Sequence, residues 1–175
     1  GLSRHLAEAH GHVVRSMPAR VMETTPYRHD FHGKRVLFNE LTPSETRVFA
    51  LGKIVAELRL RDEINDIIAA AKLREPASEA MLRTTLTSYF AAALMMPYAR
   101  FTEAALETRH DIDILQARFG ASFEQVAHRL TTLQRPGTRA LPFFLLRMDA
   151  AGNVSKRFSA GGFSFSRYGG ACPAW

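Results

Sequence analysis

The chain has 175 residues, 46% hydrophobic and 23% charged, which suits one domain with a real core and room for a small appendage. Its most apolar stretch, YFAAALMMPY, falls short of the roughly 20 residues a membrane helix needs; no charged-then-apolar leader opens it and a single cysteine excludes an internal disulfide framework, so a soluble, cytoplasmic protein is expected. A formal net charge of +6, carried mostly by arginine, favours a polyanionic partner, either nucleic acid or a phosphorylated small molecule, although a genome rich in G and C would leave the same arginine excess.

In chain order, SRHLAEAHGH predicts a short helix capped by Ser3 and ended by Gly11. VVRSM and KRVLFN predict two strands around the turn-rich TTPYRHDFHG. TPSETRVFALGKIVAELRL carries a helix start: Thr42 at the N-cap, Pro43 at the first helical position and Glu45 at the third form a capping-box pattern. Val48, Leu51, Val55 and Leu58 then recur at helical spacing, and Phe49 and Ile54 widen the stripe, so this helix is expected to be buried on most sides. Helices follow over 62–72 and 78–96, then one from Pro97 through YARFTEAALET. DIDILQARFGASFEQVAHRLTTLQ predicts two helices around FGAS, with Gly120 as C-cap and Ser122 as N-cap. From Leu141 the pattern turns to strands, in LPFFLLRMD, VSKRFS and GGFSFSRY. The order is α+β, a helical body with strands near each end.

Three motifs carry possible chemistry. The pair over 111–134 matches a helix-turn-helix, and with the basic charge it could read DNA. Its second helix, however, offers Glu124, Gln125, His128, Arg129 and Thr132 rather than a dense Arg, Lys or Asn cluster, and the same geometry occurs as plain packing. The seven histidines include HGH (His10, His12) and HDFH (His29, His32), but no H-E-x-x-H is present, so solvated histidines on surface turns are expected. Neither G-x-S-x-G, G-x-G-x-x-G nor a P-loop occurs, which removes the standard serine-hydrolase elbow and the glycine-rich nucleotide loops.

RVFALGKIVAEL, SYFAAALMMPYARF and ILQARFGASFEQVAHRLTTLQRPG, in that order, resemble the ImmA/IrrE family of zinc-peptidase-like domains. LPFFLLRMDAAGNVSKRFSAGGFSFSRYGGACPAW is similar to the C-terminal region of the short-chain fatty acyl-coenzyme A regulators, bacterial transcription factors of the methylcitrate and glyoxylate pathways, with the strongest likeness to the propionate-catabolism regulators. The resemblance runs over essentially the whole chain. It implies a mainly helical, degenerate zincin-like core with short strands near the N-terminus and a C-terminal β-hairpin region. It also implies a ligand-sensing domain over 1–137 and the start of a cysteine-containing β region over 138–175.

Where the peptidases carry H-E-x-x-H, this chain reads KIVAE, with Lys53 and Glu57 at the histidine places and Ile54 at the glutamate place. A protonated lysine cannot ligate zinc and isoleucine cannot act as a base, so the resemblance implies no enzyme. It implies instead that the pocket left behind holds coenzyme A or an acyl-CoA thioester. Arg47, Lys53 and Arg100 are then the candidates for phosphates, and Tyr89, Phe90, Tyr98 and Phe101 for the walls of an apolar channel. Promoter DNA would be bound through an N-terminal domain absent from these residues, so a sensing piece of a regulator is expected; no membrane partner is expected, and a homodimer stays open. Cys172 would be one ligand of a [4Fe–4S] cluster, which needs about four thiolates, only together with cysteines of a longer chain.

Overall fold

The computed structural model describes residues 1–159, which fall into two compact units, Gly1–Pro97 and Tyr98 onward. The predicted GGFSFSRY strand and Cys172 lie outside the described residues. The order found is α+β, as the sequence indicates, and no helix among the described residues is long and apolar enough to cross a membrane.

In the first unit, α1 (Leu2–His10) ends at Gly11, whose φ of 68° supplies the left-handed turn that a helix C-terminus uses. There follow β1 (Val13–Met17), a short α2 (Ala19–Met22), β2 (Tyr27–Asp30) and β3 (Arg35–Asn39). The apolar run of β3 puts it in the middle of a three-stranded sheet, parallel to β1 and antiparallel to β2. Neither α2 nor β2 stands out in the sequence. β2 (YRHD) lies in the segment read there as turns and is recruited as a strand by pairing with β3, and α2 lies just before that segment.

Three helices complete the unit: α3 (Ser44–Arg59), α4 (Arg61–Ala70) and α5 (Pro76–Met95). Buried Ala50, Leu51, Ile54 and Val55 of α3 pack with Leu6 of α1 and with Val36 and Phe38 of β3. Each large apolar side chain so buried contributes about 1.5–3 kcal/mol. The core stripe runs mainly through positions 50–56, and Val48 is 38% exposed, off the face expected for it. Helices α3 and α5 meet at Gly52, where a Cβ would lie 3.0 Å from Ala91 Cβ and 3.1 Å from its Cα. Only glycine allows this approach without displacing a backbone.

The start of α3 corrects one reading. Pro43, not Thr42, holds the N-cap, and no side chain caps it. The Thr42 hydroxyl instead donates to the Pro26 carbonyl at 2.7 Å, tying the helix entry to the segment before β2. A long-range bond thus outcompetes the local one.

The second unit contains α6 (Tyr98–Glu107), α7 (Ile112–Phe119), α8 (Phe123–Thr131) and the antiparallel hairpin β4 (Phe144–Met148) and β5 (Val154–Ser159). Here local rules hold. Asp111 caps α7 by accepting from Ile114 N, and Gly120 ends it at φ 58°. Ser122 and Gln125 form a reciprocal capping box on α8. Phe101 is fully buried, its ring centroid 5.1 Å from that of Phe119.

Candidate functional site

On α3 the KIVAE stretch sets a buried apolar face beside two polar positions. Gly52, Ile54, Val55 and Ala56 are buried, whereas Lys53 and Glu57, one turn apart, are half-buried on one helix face. Among the described residues Lys53 has no hydrogen-bond or ion-pair partner and no three His, Cys, Asp or Glu side chains are placed to hold a metal. Opposite Glu57 stand Tyr27 and His29 of β2. Burial raises the Tyr27 hydroxyl above its ordinary range, with the Glu57 charge adding to it.

The other candidates divide by role. Arg47 is committed to the fold: its Nε donates to Thr42 O at 2.9 Å, and one Nη donates to Asn39 O at 3.0 Å and Glu40 O at 2.9 Å. Its guanidinium also lies 5.6 Å from the Phe38 ring centroid. Phe90 is half-buried against the core around α3, while Tyr89, the residue before it, is 52% exposed. In the second unit Phe101 is core, and Arg100 is exposed. Tyr98 is fastened: its hydroxyl donates to Thr138 O at 2.8 Å and accepts from Arg135 N at 3.0 Å. Two guanidinium groups face its ring, Arg135 at 5.1 Å and Arg129 at 6.0 Å. The expected residues therefore group as Arg47, Lys53, Tyr89 and Phe90 in one unit and Tyr98, Arg100 and Phe101 in the other.

For the helix-turn-helix alternative over 111–134, the side chains that would meet bases are engaged within their own unit. Glu124 pairs with Arg147 and Lys156 of the hairpin, and His128 stacks on Phe158 at 4.1 Å. Gln125 is consumed by the capping box, Arg129 is 2% exposed, and the Thr132 hydroxyl donates to Arg129 O. Each side chain that would meet bases already has a partner inside the unit.

The expectation that the N-terminal histidines are solvated holds for His32, which is exposed, and is overturned for His10, His12 and His29. His12 is 3% exposed, and the Nε2 atoms of His10, His12 and His29 are buried without a hydrogen-bond partner. Sequence reasoning missed them because their burial comes from α1 and β2 docking beside α3. The spacing H-x-H carries no sign of that.

Comparison with known proteins agrees with the geometry. The IrrE N-terminal-like domain matches residues 7–131, and the C-terminal region of short-chain fatty acyl coenzyme A regulators matches residues 132–175. The chain is 43% identical over 143 residues to the propionyl-CoA carboxylase regulator of Cereibacter sphaeroides, covering 82% of this chain and 31% of that protein. It is 46% identical over 129 residues to the HTH-type transcriptional regulator PrpR of Mycobacterium tuberculosis, covering 74% of this chain and 26% of that protein. A solved Mycobacterium tuberculosis transcriptional regulator superposes with a TM-score of 0.91 at 37% identity, over 99% of this chain and 52% of that one. The chain thus spans under a third of these two curated relatives and about half of the solved chain. Those relatives are named as regulators, not as enzymes. With its peptidase-like α3 bearing KIVAE and its C-terminal hairpin, this chain belongs to the IrrE N-terminal-like domain family, in the form carried by the short-chain fatty acyl coenzyme A regulators.

Proposed function

We propose that this chain is the ligand-sensing part of a transcriptional regulator of short-chain acyl-CoA metabolism, in the propionate–methylcitrate or glyoxylate branch, and that coenzyme A or an acyl-CoA binds beside α3. The observation that carries this reading is Lys53. It is a half-buried cation with no partner among the described residues, on a helix with a packed core, at the place where the resemblance to the peptidases implies a zinc-binding histidine. Such a cation suits one phosphate of a nucleotide, and the half-buried or exposed aromatics Tyr89 and Phe90 on α5 suit a thin apolar arm. Zinc does not fit: lysine at position 53 and isoleucine at position 54 supply neither ligand nor base. A [4Fe–4S] cluster does not fit this chain alone, since Cys172 is its only cysteine.

The mechanism follows from differential binding. A ligand that contacts one arrangement of the domain more strongly than another shifts the balance between them, and the regulator's DNA-binding part would read that shift as affinity for promoter DNA. Calorimetric titration with coenzyme A, propionyl-CoA and acetyl-CoA tests the reading. Lys53→Gln should weaken binding about tenfold, the worth of one charge-assisted contact, and Lys53→Glu more. Absence of heat with all three ligands at millimolar concentration would overturn it.

A further inference from the structure

Five histidines gather where α1 turns into β1 and meets β2. The His5 and His10 rings stand 5.8 Å apart, and those of His12 and His29 stand 5.3 Å apart. Phe31 bridges His29 to His32, with ring centroids at 5.8 Å and 6.3 Å. His12 sits at the joint itself. Its backbone N–H donates to Leu6 O at 3.0 Å, within the turn that closes α1, and the next residue's N–H donates to Lys34 O at 2.8 Å, alongside β3.

His12 Nδ1 lies 3.2 Å from the His10 carbonyl, which seats its ring between the two pairs. The Nε2 atoms of His10, His12 and His29 are buried without a hydrogen-bond partner.

A proton here would meet a hostile setting. Around His10 stand His5 on its own helix, His12, Lys34 before β3 and Arg59 at the end of α3. Around His29 stand His12, Glu57 of α3 and its neighbour Asp30, while Arg61 at the start of α4 lies over Phe31. Asp30 is already engaged by Arg35 at 2.9 Å and by Gly33 N at 2.7 Å, which leaves Glu57 as the main counter-charge.

We propose that His10 and His29, whose rings pack on His5 and His12, form a proton-operated latch: neutral, they keep α1 and β2 seated at the joint with β1 and β3, and protonated they loosen it. The latch is independent of what the domain binds. Burial lowers the His29 imidazole below 6.5, His12 lowers it further, and Glu57 and Asp30 only oppose this. Burial, then His5, Arg59, His12 and Lys34, lower His10. A base depressed in the folded state binds fewer protons than in the unfolded chain. Its stabilising contribution is therefore complete above the ordinary value of 6.5 and is lost as pH falls below it through the folded-state value.

The test is an NMR titration of the histidine C2 protons from pH 8 to 5, with thermal melts followed by circular dichroism over the same range. His10 and His29 should half-titrate below 6.5, and the melting temperature should fall as they do. In His12→Phe, which keeps a ring and cannot charge, the His29 midpoint should move upward and the acid-induced fall should shrink. Should that variant not fold, His29→Gln is the substitute, with the same smaller fall expected. Midpoints at the ordinary imidazole value, a His29 midpoint that His12→Phe does not move, or an acid-induced fall as large in His29→Gln as in the parent would each overturn the latch.

Discussion

The two units hold their helices in opposite ways. In residues 1–97 none of α1 to α5 has a side-chain N-cap bond, and the chain at the entry to α3 is tied by Arg47 to three backbone carbonyls and by Thr42 to Pro26. In the second unit α7 and α8 are each started by their own neighbours, Asp111 and the Ser122–Gln125 box. The first arrangement makes helix position depend on residues far apart in sequence, and the second makes it local.

Substitutions can break or sharpen this contrast. Arg47→Met keeps the packing stem and removes every tie, so urea unfolding should show a loss of about 2–4 kcal/mol, the range for several bonds from one charged donor at a half-exposed site. A loss below about 1 kcal/mol would mean that the tie is ornamental and the contrast false. Ser122→Ala should cost about 1 kcal/mol, the usual worth of an N-cap, by removing only the local bond to Gln125 N. Glu45→Gln should change stability by less than about 0.5 kcal/mol, since Glu45 contributes a first-turn charge and an exposed contact with Ser44 rather than half of a capping box. A Glu45 effect as large as that of Ser122 would restore the capping box and erase the difference between the units.

What the sequence made legible follows the same line. Gly11, Gly120 and Ser122 act through neighbours within a few residues, and each was readable from type and spacing, whereas the Gln125 half of the box on α8 emerged only from the structure. Thr42 was read by the same rule and misassigned, because Pro26 lies sixteen positions away and competes for the hydroxyl. β2 escaped for a related reason. YRHD has no strand-like alternation, and its extended shape comes from the register Tyr27↔Phe38 to Asp30↔Arg35. For the candidate site, KIVAE located Lys53 on α3 beside a buried core, but residue type alone could not separate that cation from Arg47, which the fold itself uses. Phe101 and Tyr89 show the same limit: both are aromatic near one motif, yet one is fully buried and the other is half open to solvent.

The contact of Gly52 with Ala91 sets a mechanical constraint on the first unit. Backbone already touches side chain and backbone there, with no longer side chain between to compress, so α3 and α5 cannot close further at that point. They can only tilt or roll about it, as two rods do about a bearing. Lys53 lies one residue, roughly 100° of helix, beyond the bearing on one rod, and Phe90 lies one residue before it on the other. A small roll there changes the separation of Lys53 and Phe90 first, while the touching residues stay in place.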